Sequence, residues 1–197
     1  MIFISKKRKK QIEDIANQKL MENGINPRFD LIKFLIEKEG FKIVLKDMNQ
    51  DTTGLVRISP QKNTDNEKIP KLIAANTKLL NQPNFPQRLR FIVAHEYGHS
   101  LIHCNGERLF AHRSSSKKWT RDEKEADYFA RCLLMPREEM EKMLFEDFIC
   151  IDDEDYKIKH IAQFFNVTEK KAKMRIQEIG GYSAYIRRKE KEMTSNV

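Results

Sequence analysis

The chain has 197 residues and a mass of 23.4 kDa, room for one domain or one domain with a small appendage, and enough length to enclose a core. With 40% hydrophobic residues and 12 Phe it is not a disordered chain, and 7 Gly with 6 Pro exclude collagen-like and low-complexity classes. A net charge of +8 admits nucleic acid or an acidic protein surface as partner and proves neither.

The chain begins with four apolar residues and then turns basic, the reverse of a secretion signal. No run of about 18 apolar residues follows, so a membrane span is not expected and the cytoplasm is. Cys104, Cys132 and Cys150 form no Cys-x-x-Cys pair and read as reduced, buried thiols. Lys6, Lys7, Arg8, Lys9 and Lys10 read as a solvated helix face rather than a nucleic-acid arm. Ile12, Ile15, Ala16 and Leu20 then recur at helical spacing, predicting a helix over about 6–23. A second helix is expected over 27–39, ended by Gly40. Strands are expected at 41–45, 54–59 and 72–76, with a polar connection over 60–70.

Asn84, Pro86 and Gln87 announce a helix through Leu101 or beyond, with Asn84 as cap. Residues 106–118 read as a polar loop. A helix over 120–134 stops near Pro136, and a short amphipathic helix covers 137–145. Asp152 to Asp155 look like a solvated linker. Two last helices, 157–165 and 168–179, end at Gly180-Gly181. Strands first and helices afterwards predict an α+β fold with a small sheet, mostly helical. The expected division is a domain over 1–150 and a helical C-terminal part over 151–197.

The third helix carries His95-Glu96-Tyr97-Gly98-His99, a His-Glu-x-x-His pattern. Residues four apart on a helix differ by only about 40° in azimuth, so both imidazoles can reach one ion. Glu96 stands beside the first ligand, placed to handle the proton of a water activated by that ion. The apolar flank Phe91-Ile92-Val93-Ala94 implies a buried helix, where polar groups need partners. Gly98 in mid-helix is explained if another backbone comes close. His103 lies about 12 Å along the axis from His95, too far to join; it either packs or faces the cleft. A histidine six residues after His99 would mark another zinc-peptidase class, but Asn105 stands there.

The next helix offers Glu123 as third metal ligand. Asp127, one turn on, can accept from the free nitrogen of a ligand histidine. Glu123 alternatively completes a capping box with Thr120. Glu125, about 200° round from Glu123, is expected to face solvent. Three protein ligands leave the fourth position open, as catalysis requires.

These elements resemble the ImmA/IrrE-type metallopeptidases. The resemblance rests on residues 88–103 around the motif, on Glu123-Lys124-Glu125-Ala126-Asp127-Tyr128-Phe129-Ala130, on Leu133-Leu134-Met135-Pro136 and on residues 161–168; it spans roughly residues 10–180. Tyr97 stands where that family usually has Leu, Ile or Phe. The resemblance implies a zincin-like peptidase with Zn2+ held by His95, His99 and Glu123, and Glu96 as catalytic carboxylate. Mn2+ or Fe2+ suits the same donors. It further implies a protein substrate, a helix-turn-helix repressor whose cleavage derepresses genes of a mobile element or stress response. The last two helices, joined through Asn166-Val167, themselves resemble a helix-turn-helix in basic surroundings. A DNA-binding or repressor-binding regulator with little turnover is therefore the alternative.

Overall fold

The computed structural model describes residues 3–22, 29–49, 52–58, 71–103, 108–113, 120–181 and 185–187. Helix α1, Lys6–Glu22, buries Ile12, Ala16 and Leu20, the apolar side of its pattern. Helix α2 is confined to Leu31–Glu37. Asp30 caps it by accepting the Lys33 N–H at 3.0 Å, and Leu31, Phe34 and Leu35 are buried.

Four strands follow the predicted β-rich runs and add one: β1 Phe41–Lys46, β2 Thr52–Ile58, β3 Lys71–Asn76 and β4 Arg108–Arg113. They form one sheet in the order β1-β3-β2-β4. β1 runs parallel to β3, while β2 is antiparallel to both β3 and β4. The central β3 carries the buried residues Ile73, Ala74, Ala75 and Asn76. Ile73 pairs with Ile43 on one side and Val56 on the other. Strand β4 replaces part of the loop expected over 106–118. Its apolar run is only Leu109-Phe110-Ala111, bracketed by Arg and His, so composition hid it. An edge strand needs pairing on one side alone and tolerates such ends.

Helix α3, Phe85–Ile102, starts where expected but not by the expected cap. Asn84 is left-handed (φ 58°) and its side chain makes no capping bond. A side-chain cap needs the residue in the extended region; only the Asn84 carbonyl joins the helix, accepting the Arg88 N–H at 3.0 Å as the first intrahelical bond. Helix α4, Arg121–Leu134, is buried from Glu125 onward. It packs on α3 and on α1, while the sheet covers another side of α3. Among the described residues no helix is long and apolar enough to cross a membrane.

The chain divides into two compact units, 1–134 and 135–197, not at the expected 150/151. The reason lies in the segment after Pro136. Helix α5, Arg137–Lys142, and the π-helical turn Met143–Asp147 belong with α6, Glu154–Phe164, and α7, Glu169–Ile179. Arg175 of α7 is wholly buried and donates from Nε to the Met135 carbonyl at 3.0 Å. The acidic stretch is no linker either. Asp153 caps α6 by accepting the Tyr156 N–H at 3.0 Å, and Glu154 and Asp155 occupy the first turn, where the helix dipole favours negative charge. Asn166 (φ 51°) turns the chain between α6 and α7, with Ile161, Phe165, Val167 and Ala172 buried around it. Of the cysteines, Cys132 is buried as expected and Cys150 is exposed, in the turn after the π-helical segment. Cys104 lies outside the described residues.

Candidate active site

Helix α3 is buried over most of its second half, and the motif lies there. His95 and His99 sit on consecutive turns with their Nε2 atoms 3.0 Å apart. Helix α4 brings the Glu123 carboxylate to the same point, with Oε2 3.2 Å from His95 Nε2 and Oε1 3.6 Å from His99 Nε2. One ligand atom from each of the three residues lies within 4.8 Å of the others. Ligands bonded at about 2.0–2.1 Å to a tetrahedral ion stand about 3.3 Å from one another. The observed spacings bracket that value, and two imidazoles with one carboxylate are the donors a divalent zinc-type ion prefers. His95, His99 and Glu123 therefore fit a metal ion.

The two expected uses of Glu123 separate along its atoms. Its backbone N–H, 3.2 Å from the Thr120 hydroxyl, takes the helix cap. Its carboxylate is thereby left for the histidines. The capping residue starts α4 at the point that aims Glu123 across at α3.

Glu96 is fully buried, and neither carboxylate oxygen has a hydrogen-bond partner among the described residues. Burial, and then the charge of Glu123, push its carboxyl well above the usual carboxylate range. A carboxylate so placed is a strong proton acceptor, and its open lone pairs are available to a reactant. The neighbour that shapes this pocket is Gly54 of β2. A Cβ there would stand 2.7 Å from Glu96 Oε1 and 2.7 Å from Ile92 Cγ2. A glycine inside a strand signals close approach, and that sign was present in the sequence.

Gly98 has a different neighbour from the one expected. A Cβ there would meet the Phe129 ring at 2.7 Å, so a side chain of α4, not a backbone, requires the glycine. Tyr97 points away from the metal ligands. Its ring makes edge contacts with Phe34, Phe41 and Phe129, at centroid distances of 6.4, 5.8 and 6.0 Å. The aromatic at this position is a core residue.

Glu125 does not face solvent: it is 2% exposed. Helix α1 covers that side of α4, and its Arg8 supplies the countercharge, donating to Glu125 Oε2 from Nε at 2.8 Å and from Nη2 at 2.6 Å. Arg121 donates to Oε1 at 2.9 Å. The basic block is thus not merely a solvated face. Lys9 adds to the same contact, over the Tyr128 ring at 5.3 Å. The local sequence carries no sign of the Arg8–Glu125 pair, which joins residues 117 positions apart. Asp127 is buried one turn beyond Glu123, with its carboxylate paired to Arg131.

No curated protein matches the chain in sequence. Residues 36–177 match a peptidase family described as the IrrE N-terminal-like domain, a stretch that takes in the sheet, α3, α4 and most of the C-terminal unit. A match over that much of the chain, on a fold that brings His95, His99 and Glu123 together beside a buried Glu96, makes this protein a member of the IrrE N-terminal-like metallopeptidase family.

Proposed function

We propose that the protein is a cytoplasmic, zinc-dependent endopeptidase that cleaves a helix-turn-helix transcriptional repressor and so derepresses genes of a mobile element or stress response. One observation carries the peptidase part: the three ligand atoms converge beside a buried carboxylate whose oxygens have no hydrogen-bond partner among the described residues. The repressor substrate rests on the family resemblance alone.

His95, His99 and Glu123 would hold a divalent ion, and Asp127, buried one turn beyond Glu123, would orient one of the histidines. A bound divalent ion supplies Lewis acidity, lowering the pKa of water and polarising the scissile carbonyl. Glu96 accepts the proton of the attacking water and delivers it to the departing amine, so one carboxylate acts as base and then as acid. Gly54 leaves the room that its carboxylate occupies. The same donors accept Mn2+ or Fe2+.

The second reading is a DNA- or repressor-binding regulator with little turnover. The α6–α7 pair, turned at Asn166, supports it. New protein N-termini in host cells separate the two. Cells carrying wild type are compared with cells carrying Glu96→Gln, with and without stress. A new terminus in a DNA-binding repressor, present only with wild type, is the expected result. Identical termini in both conditions favour the binding reading.

A further inference from the structure

His99 has two ring nitrogens, and they face different surroundings. Nε2 faces His95 and Glu123. Nδ1, on the far side of the ring, is 3.0 Å from Nδ1 of His103. His103 Nε2 is in turn 3.4 Å from Glu125 Oε2, with Asp122 Oδ1 at 3.9 Å on the exposed side. Glu125 then receives Arg8 and Arg121. A continuous polar chain therefore runs from a metal ligand to the N-terminal helix.

The chemistry of the groups fixes where each proton sits. The Glu125 carboxylate only accepts, so His103 carries its proton on Nε2. Its Nδ1 is then an acceptor, and His99 must present a proton on its own Nδ1. That leaves the His99 lone pair on Nε2, the atom facing the other two ligands. A doubly protonated His103 would set donor against donor. Arg8, bonded to Oε2 of Glu125, and Arg121, bonded to Oε1, supply the countercharge of that carboxylate.

We propose that His103 and Glu125, fastened to helix α1 through Arg8, are positioning residues that fix the tautomer of His99 and so set the affinity of the site for its metal ion. Helix α1 lies ahead of the segment matched to the family, so this chain completes its metal site with an element from outside that segment. The inference deepens the metallopeptidase reading and rests on its ligand set.

The test is Zn2+ affinity of the full chain, measured by competition with a chromogenic chelator at neutral pH, with thermal melts alongside. His103→Leu keeps bulk but breaks the chain. Removing such an outer partner costs about 10–100-fold in metal affinity, and that loss is expected here. His103→Gln restores most of it, because an amide oxygen accepts from His99 while its NH2 donates to Glu125. Arg8→Gln gives a smaller loss in the same direction, and, at a part-exposed position, it keeps the test open if His103→Leu does not fold. Lys33→Gln, exposed on α2, leaves affinity unchanged. Equal affinity in wild type, His103→Leu and Arg8→Gln overturns the proposal. So does an equal loss in the Leu and Gln variants, which would mark a need for the ring alone. A wild type that binds no Zn2+ overturns the ligand reading itself, and the proposal with it.

Discussion

Two buried glutamates lie close to the same three ligands and are treated in opposite ways. Glu125, on α4, has two arginines and a histidine around its oxygens. Glu96, on α3, is as deeply buried and has no partner for either oxygen among the described residues. A buried charge is tolerated when paired and costs several kcal/mol when it is not. The fold thus neutralises one carboxylate locally and leaves the other open. The neutralised one belongs to the framework; the open one is the carboxylate that the proposed hydrolysis would use.

The largest effect should come from Glu96→Gln. It keeps the shape and removes the base, so cleavage of the substrate should fall by about 100- to 10,000-fold. Thermal melting should place its stability near wild type. Substantial turnover in this variant would remove Glu96 from the mechanism. Glu125→Ala should act first on the framework. Stranding Arg8 and its neighbours is expected to lower stability by about 1–3 kcal/mol in urea titrations. A change near zero would mean that the Glu125 cluster holds nothing together.

Gly54→Ala sharpens the contrast from the strand side. The added methyl would stand 2.7 Å from Glu96 Oε1, so carboxylate or strand must shift. Overpacking of this kind costs about 1–3 kcal/mol. Turnover should drop more than metal content, as measured on one preparation. Loss of both together would place the damage at the ligands instead.

The smallest effect concerns pH. Arg8 and Arg121 outweigh the burial of Glu125 and hold its pKa below the ordinary 4.5. A depressed carboxylate pKa stabilises the fold above its unfolded value, and that contribution fades as pH falls through the lowered pKa. The stability gap between wild type and Glu125→Gln should therefore narrow from pH 7 to pH 3 in urea titrations. A gap that widens on acidification would contradict the assignment.

What was legible in the sequence follows how far apart the interacting residues lie. His95 and His99 share a helical face by spacing alone, and Thr120 marked the helix start that presents Glu123. The strands at 41, 52 and 71 carry β-branched and small apolar runs, which is a local property. Strand β4 lacks such a run and depends on pairing with β2, so its local sequence is that of a loop. Glu125 is hidden from local reading for a related reason. Helical azimuth puts it opposite Glu123, as observed, but that face meets α1 rather than water. The acidic cluster at 152–155 and Asn84 show that residue type does not settle a cap; backbone conformation does. The early break at 134/135 reflects Arg175 fastening Met135, a contact across 40 residues.

The most direct test is the metal content of purified full-length protein by elemental analysis, for wild type, Glu96→Gln, Glu125→Ala and Glu123→Ala. The account predicts about one divalent ion per chain in wild type and Glu96→Gln. It predicts a partial loss for Glu125→Ala and a far larger one for Glu123→Ala. Equal loss at positions 123 and 125, or a wild type without metal, would contradict it.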